Sequence, residues 1–108
     1  MKNGLIIDKE GTKYWYKDDL LHREDGPAVE YLGGSKFWFQ NNKQHRESGP
    51  AAEFANRDKE WWQNGLLHRL DGPAVEYSNG NKEWYYQGKY ICSSQQEFER
   101  IIKLRHFW

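Results

Sequence analysis

The side chains best suited to chemistry in this sequence form three histidine–arginine pairs: His22-Arg23, His45-Arg46 and His68-Arg69. Histidine serves as a general acid or base near neutral pH, and arginine binds phosphate and carboxylate groups through paired N–H donors. Asp25 and Asp71 follow the first and third pairs after one intervening residue. These loops therefore carry the groups needed for phosphate binding or for acid–base catalysis. A hydrolase or nuclease would use His22 or His68 with the two aspartates.

The repetition of the pairs favours a structural role instead. They recur at a spacing of 23 residues, and each is followed by a glycine–proline pair: Gly26-Pro27, Gly49-Pro50 and Gly72-Pro73. An active site needs one constellation of side chains, whereas equal copies are typical of a repeated structural element. In that interpretation the histidines and arginines bond the carbonyl groups of a tight Gly-Pro loop. The aspartates then cap backbone N–H groups or pair with arginine, and proline prevents extra strand pairing.

Most of the sequence follows the same period. Complete units span residues 13–35, 36–58 and 59–81, and half-units span 5–12 and 82–91. Each unit has two turn signals rich in Asn, Asp and Gly, which tolerate a positive φ. The first signals are Glu10-Gly11, Gly33-Gly34, Asn56-Arg57 and Asn79-Gly80, and the second are Asp18-Asp19, Asn41-Asn42, Asn64-Gly65 and Gln87-Gly88. We predict a mainly β fold, an antiparallel β-meander of repeated hairpins over residues 5–91, with one C-terminal α-helix, in a single domain of residues 1–108.

Two-residue hairpins at the first turn signals would fix the strand register. In that register Ile6 faces Trp15, Val29 faces Trp38, Ala52 faces Trp61 and Val75 faces Trp84. Aromatic and β-branched residues are favourable cross-strand partners. The same register opposes Glu53 to Glu60 and Glu76 to Glu83. We therefore expect an arginine or lysine from a neighbouring unit between each pair of carboxylates.

Two aromatic rows result from the repeat. Trp15, Trp38, Trp61 and Trp84 hold one repeat position and are predicted to form the core stripe. Their neighbours Tyr16, Phe39, Trp62 and Tyr85 point to the opposite face, because side chains alternate along a strand. A thin sheet buries only one face well. The second row is therefore either covered by the C-terminal helix or exposed as a binding surface.

The C-terminal residues predict a helix at 93–106. Ser94 and Glu97 have the spacing of a capping box, and Phe98, Ile101 and Ile102 share one helical face. We expect the helix either to lie across an exposed tryptophan-bearing face or to cap the last hairpin. The only cysteine, Cys92, is predicted to be a small buried residue where the sheet meets the helix.

The repeated unit W-[YFW]-x-x-[GDN]-x-x-H-R-x-[DS]-G-P-A resembles the MORN-like repeat variants that are abundant in bacteriophage and giant-virus genomes. The resemblance covers about residues 5–91. It implies a ribbon of β-hairpins that serves as a scaffold or binding surface and not as an enzyme. The middle unit departs from the pattern, since Ser48 replaces the aspartate and Lys43-Gln44 replaces Leu-Leu.

Composition and spacing argue against several functions. Sixteen basic residues balance sixteen acidic ones, which disfavours binding of extended nucleic acid. Equivalent histidines lie two strands apart, at least about 10 Å, which is too far to share a zinc ion. Cys92 and His106 are isolated, so we predict no metal and no cofactor. No apolar run is long enough for a membrane span, and the single cysteine and the lack of a signal-like segment favour the cytoplasm.

The expected function is therefore non-enzymatic binding. Together with the resemblance, it suggests a phage-type accessory protein that occludes a host protein, for example in a defence system. The alternative is a sponge for a nucleotide signal such as a cyclic nucleotide, with bases stacked on the second aromatic row and phosphates held by the His-Arg pairs. The exposed edges of the first and last strands would also allow homo-oligomers.

Overall fold

The computed structural model describes residues 1–105, which form a mainly β structure with one helix, as predicted. The strands are β1 Gly4–Ile7, β2 Lys13–Lys17, β3 Leu20–Leu21, β4 Val29–Glu30, β5 Lys36–Phe37, β6 Phe39–Gln40, β7 Lys43–Gln44, β8 Ala52–Glu53, β9 Lys59–Glu60, β10 Trp62–Gln63, β11 Leu66–Leu67, β12 Val75–Glu76, β13 Lys82–Tyr86 and β14 Lys89–Cys92. The helix α1 spans Gln95–Arg105. No helix in this part of the chain is long and apolar enough to cross a membrane.

One antiparallel sheet runs the length of the molecule, in the order β1-β2-β4-β5-β8-β9-β12-β13-β14. Short hairpins lie beside it: β3 pairs with the end of β2, β6 with β7, and β10 with β11. Each 23-residue unit therefore supplies two strands to the main sheet and one side hairpin. The chain passes from the main sheet to the side hairpin at the tryptophan of each unit. In the second unit the Trp38 N–H donates to Ala51 O in the main sheet, while Trp38 O accepts the N–H of His45, which follows the side hairpin.

The turns at the first signals are longer than predicted. The N–H of Tyr31 donates to Ser35 O and the N–H of Gly34 donates to Tyr31 O, both at 3.0 Å, and Gly34 has a φ of 109°. This is a three-residue loop whose last residue is left-handed, the other common hairpin geometry. The equivalent left-handed residues are Gly11, Arg57 and Gly80.

The extra loop residue shifts the strand register by one, so the predicted pairs are wrong. The observed pairs are Leu5 with Trp15, Val29 with Phe37, Ala52 with Glu60 and Val75 with Glu83. Glu53 and Glu76 face Lys59 and Lys82 instead of glutamates. The expected repulsion between carboxylates is therefore absent from these pairs. Arginine does meet Glu53 and Glu76, but it comes from the same unit.

The turns at the second signals have the predicted form. Asn41 and Asn42 both have positive φ, at 49° and 70°, and they connect the paired strands β6 and β7 as a two-residue loop. The same conformation occurs at Asp18-Asp19, Asn64-Gly65 and Gln87-Gly88. Two positive φ values in succession define a type I′ turn, whose twist matches that of the strands.

Small side chains, and not the tryptophans, form most of the core. Besides Trp84 and Cys92 in the last hairpin, the buried apolar residues of the sheet are the two that follow each Gly-Pro pair: Ala28, Val29, Ala51, Ala52, Ala74 and Val75. Trp15, Trp38 and Trp61 share one repeat position as predicted, but they remain partly exposed and only Trp84 is buried. The prediction that the tryptophans form the core stripe is therefore wrong for Trp15, Trp38 and Trp61, because small side chains fill most of the buried positions.

The helix caps the last hairpin, one of its two expected positions. It begins after Ser94, whose Oγ accepts the N–H of Glu97 at 3.3 Å, so the predicted start at residue 93 is two residues early. The predicted last residue, His106, lies outside the described residues. Phe98, Trp84 and Cys92 pack together in a buried cluster, which confirms the predicted role of the cysteine.

Candidate functional site

The three loops at residues 22–27, 45–50 and 68–73, named here the HR loops, lie on the tryptophan-bearing face of the sheet. Their histidines join each unit to the next one. The Nδ1 atoms of His22, His45 and His68 accept backbone N–H groups from Asn41, Asn64 and Gln87 at 3.0, 3.0 and 2.9 Å. These donors all belong to the type I′ turn of the following unit. The histidines therefore bind a neighbouring turn. The prediction that they bond the carbonyl groups of their own loop is wrong.

This contact also fixes the histidine tautomer. Because Nδ1 accepts a hydrogen bond, the neutral ring carries its proton on Nε2. In the first two loops Nε2 contacts the carboxylate of Glu24 at 2.5 Å and that of Glu47 at 2.6 Å. The third loop has Leu70 at the corresponding position. In the first two loops both ring nitrogens are thus engaged within the protein, which leaves those histidines poorly placed to act as general bases.

Each arginine is held by its own HR loop. The guanidinium groups of Arg23, Arg46 and Arg69 stack on Trp15, Trp38 and Trp61, with Cζ 3.8–3.9 Å from the ring centroid. In every loop Nη1 donates to the proline carbonyl, at 3.0–3.1 Å, as in the predicted structural role. The same nitrogen meets Glu30, Glu53 or Glu76 at 3.0–3.4 Å.

The loop glycines make room for these guanidinium groups. A Cβ built on Gly26, Gly49 or Gly72 would lie 2.9, 3.2 or 2.7 Å from the nearest arginine atom. The cation therefore lies between the indole ring and the glycine backbone. Glycine avoids this close contact, and its backbone here is not left-handed.

The loop aspartates pair with arginine, one of the two roles predicted for them. Asp25 accepts from Nε of Arg23 at 3.2 Å, and Asp71 accepts from Nε of Arg69 at 3.0 Å. The middle loop has Ser48 at this position. Arg23 and Arg69 therefore have a hydrogen-bond acceptor on both edges of the guanidinium group. Arg46, in the middle loop, has acceptors on the Nη1 edge only.

A glutamine that was not among the predicted site residues also joins adjacent units. Nε2 of Gln40 donates to Arg23 O at 2.9 Å, and Nε2 of Gln63 donates to Arg46 O at 2.8 Å. The two glutamines are 23 residues apart, so the repeat alone could have identified them. Together with the histidine contacts they make the HR loops a stack of mutually braced elements.

Two open grooves separate successive HR loops, with volumes of 720 and 640 Å³. The first is lined by loops one and two with Trp38, and the second by loops two and three with Trp61. Among the described residues, none of the second-row aromatics (Tyr16, Phe39, Trp62, Tyr85) lines either groove. The structure therefore brings the predicted histidines and arginines together but leaves the predicted aromatic row elsewhere.

The opposite face of the sheet carries that aromatic row together with further tyrosine and phenylalanine side chains. Directly paired residues share a face, which places Tyr14 and Phe37 beside the buried Val29. Tyr14 stacks on Tyr16, while Phe37 makes edge-to-face contacts with Tyr31 and Phe54, with centroids 5.8 and 5.4 Å apart. We call this surface the aromatic face; its members are Tyr14, Tyr16, Tyr31, Phe37, Phe39, Phe54, Trp62, Tyr77, Tyr85 and Tyr90.

At the C-terminal half of the aromatic face, tyrosine hydroxyls converge on one carboxylate. Tyr77 and Tyr85 both donate to Oε1 of Glu83, at 3.3 and 3.2 Å. Partial burial, and then the charge of Glu83, raise the pKa of both tyrosines above the ordinary value. The rings therefore stay neutral and present an apolar surface with hydroxyl tips. The tyrosine or phenylalanine at 31, 54 and 77 recurs every 23 residues, so the repeat pattern could have identified these members of the aromatic face.

Within residues 1–105 no three His, Cys, Asp or Glu side chains come close enough together to hold a metal ion. No protein-family model matches this chain, and no curated protein matches it in sequence. The resemblance to MORN-like repeats accordingly stays a prediction.

The burial of His68 predicts loss of stability in acid. Burial lowers the pKa of His68 below its ordinary value of 6.5. Neutral His68 therefore binds a proton less readily in the folded protein than in the unfolded chain. The contribution of neutral His68 to the free energy of unfolding is complete above pH 6.5 and is lost as the pH falls through the folded pKa. We expect the free energy of unfolding to decrease between pH 7.5 and 5, as measured by urea denaturation.

A histidine-to-asparagine variant tests the origin of that pH dependence. In His68→Asn the amide oxygen can still accept the N–H of Gln87, but it does not titrate. The decrease in unfolding free energy between pH 7.5 and 5 should then be smaller than in the original protein. An unchanged decrease would mean that His68 does not contribute to it.

Proposed function

We propose that this protein is a non-enzymatic binding protein that occludes a surface of a partner protein through its aromatic face. The observation that carries the proposal is the lack of cover on that face. Helix α1 packs on Trp84 at the end of the sheet, while Tyr31, Tyr77 and Tyr90 remain 47, 39 and 54% exposed. Exposed aromatic surface of this kind marks a protein-interaction site, and tyrosine and tryptophan are enriched among the residues that dominate binding energy.

The state of the HR loops supports binding over catalysis. Their histidine Nδ1 atoms accept backbone N–H groups, and their arginines already contact a ring, a carbonyl group and at least one carboxylate. A general base needs a free lone pair directed at substrate. The three loops also share the same histidine Nδ1 and arginine–tryptophan contacts, so these contacts do not single out any one loop as a reaction centre.

Protein binding also fits the geometry better than nucleotide sequestration does. A nucleotide receptor would need the second aromatic row beside the His-Arg pairs, whereas the two lie on opposite faces of the sheet. The rings that do line the grooves, Trp38 and Trp61, are each covered on one side by an arginine. Carboxylates such as Glu24 and Glu47 line the first groove and would repel phosphate.

The resemblance to phage-type repeats adds a proposal about the partner. A small viral accessory protein acts on host machinery, so we propose a host protein as the target, with a defence component as one class. The choice of a host target rests on analogy with the repeat family.

Variants of the aromatic face test the proposed function. A partner identified by capture from host lysate should bind the original protein, and Tyr31→Ser or Tyr77→Ser should weaken binding by about 30-fold, the effect of losing a 2 kcal/mol contact. Leu70→Ser is the matched control, because Leu70 is an exposed apolar residue (56%) in an HR loop. Dissociation constants are measured by calorimetry.

Two outcomes would contradict the proposal. One is a partner whose affinity falls with Leu70→Ser but not with the tyrosine variants. The other is a rise in melting temperature with a nucleotide panel, because a ligand at 100 times its Kd adds about 2.7 kcal/mol to the free energy of unfolding. The second result would favour the nucleotide sponge.

A further inference from the structure

The middle HR loop differs from the other two at the exposed edge of its arginine. In the first and third loops, an aspartate accepts a hydrogen bond from the arginine Nε. In the second loop Ser48 stands at the aspartate position, and no carboxylate among the described residues contacts the Nε of Arg46. The other edge of Arg46 is held as in the other loops, by Pro50 O and Glu53, both at 3.1 Å.

This edge is accessible to a ligand. The aspartates that occupy the equivalent place in the other loops, Asp25 and Asp71, are both 88% exposed, so the carboxylate position lies at the surface. The Arg46 side chain is itself 26% exposed and lines both grooves. The guanidinium cannot turn away easily, because it is fixed between Trp38 and Gly49.

The surroundings select a singly charged planar group. The Nε edge of a guanidinium presents parallel N–H donors that match a carboxylate. The carboxylates of Glu47 and Glu53 lie in the same loop and its following strand. A phosphate dianion would be repelled more strongly than a carboxylate by these charges. The site thus has the geometry of an aspartate pocket from which the aspartate is missing.

We propose that Arg46 binds an external carboxylate at the position that Asp25 and Asp71 fill in the other two loops. The ligand is either a free carboxylic acid or an aspartate or glutamate side chain of a polypeptide lying in the grooves. This site is on the opposite side of the sheet from the aromatic face, so it goes beyond the proposed function and does not depend on it.

Titration with sodium acetate, at constant ionic strength set by sodium chloride, tests the site. The signal is the Nε–Hε resonance of each arginine in a ¹⁵N NMR spectrum. We expect a saturable shift at Arg46, none at Arg23 and Arg69, and a weaker response to sodium phosphate. A non-saturable shift, an equal shift at all three arginines, or tighter binding of phosphate would overturn the proposal.

Two substitutions should change acetate binding in opposite ways, one removing it at Arg46 and the other creating it at Arg69. Ser48→Asp supplies the missing carboxylate from within the chain, so it should weaken acetate binding at Arg46 at least tenfold. Asp71→Ser opens the same position in the third loop and should create a saturable acetate shift at Arg69. Both proteins keep the Arg–Trp stack, which serves as a check that the loop is folded. If neither substitution changes the pattern, the proposal fails.

A capped tripeptide, acetyl-Gly-Asp-Gly-amide, separates the two sources of carboxylate. Tighter binding of the peptide than of acetate indicates a polypeptide ligand that also contacts the groove. Equal affinities indicate a small carboxylic acid, and both results support a carboxylate site. Loss of binding in the aromatic-face variants would not affect this titration, so failure of the two proposals can be told apart.

Discussion

Replacing Phe98 by alanine is expected to detach helix α1 from the end of the sheet. Phe98 is 1% exposed and forms a buried cluster with Trp84 and Cys92. Removing a buried phenylalanine side chain costs about 3–5 kcal/mol, through lost transfer free energy and the cavity that remains. An isolated helix of eleven residues is marginal in water, so loss of this contact should also unfold α1.

The effect should stay local, because each unit of a repeat protein contacts mainly its neighbours. We expect Phe98→Ala to reduce the helical circular dichroism signal and to shift the Trp84 fluorescence to longer wavelength. Histidine-to-turn contacts in the earlier units should remain, as seen by slow amide exchange at Asn41 and Asn64. Arg100→Ala is the control, since Arg100 is exposed on the same helix. Simultaneous loss of the helix and of the protected amides would contradict a local effect.

The repeat period and the second set of turns could be predicted from the sequence alone. Asn and Gly at two adjacent positions fit a left-handed pair, and the type I′ turns at Asn41-Asn42 and Asn64-Gly65 confirm it. Capping by Ser94 likewise depends on a few neighbouring residues. These features are local, so a short window of sequence contains the physical cause.

The first set of turns could not be resolved in the same way. A Gly-Gly pair suits both a two-residue loop and a three-residue loop with one left-handed residue, and only the backbone bonds of Tyr31 distinguish them. Arg57 occupies the left-handed position in its unit with a φ of 78°, although arginine gives no hint of it. The one-residue error in register follows directly from this ambiguity.

The residues of the candidate site could be predicted from the sequence, but not all of their hydrogen-bond partners. The arginine contacts with proline carbonyls lie within one loop and follow from its sequence. The histidine partners are backbone N–H groups nineteen residues away, and they depend on how one unit stacks on the next. The small core also escaped prediction, because Ala52 is buried between paired strands from two units, where it faces Phe37 and Glu60.

The glycines of the HR loops provide the second large effect. In Gly72→Ala the new Cβ would lie 2.7 Å from Cζ of Arg69, so the guanidinium must shift from its place against Trp61. The loop then loses the bonds to Pro73 O, Glu76 and Asp71 together. We expect a cost of about 2–3 kcal/mol in the free energy of unfolding, the range for hydrogen bonds to a charged group plus a cation–π contact.

The three loops supply an internal scale for this prediction. The distance from the added Cβ to the nearest arginine atom increases from 2.7 Å at Gly72 to 2.9 Å at Gly26 and 3.2 Å at Gly49, so the destabilisation should decrease in that order. Gly33→Ala is the matched control, because a Cβ there meets nothing within 4 Å and its backbone is not left-handed. Urea denaturation gives the free energies, and quenching of Trp61 fluorescence reports on the stacked arginine. Equal decreases in the free energy of unfolding at all four glycines would mean that the alanine acts through the backbone. A graded series would show that the contacts of the arginine with its tryptophan, proline carbonyl and carboxylates stabilise the stack of units.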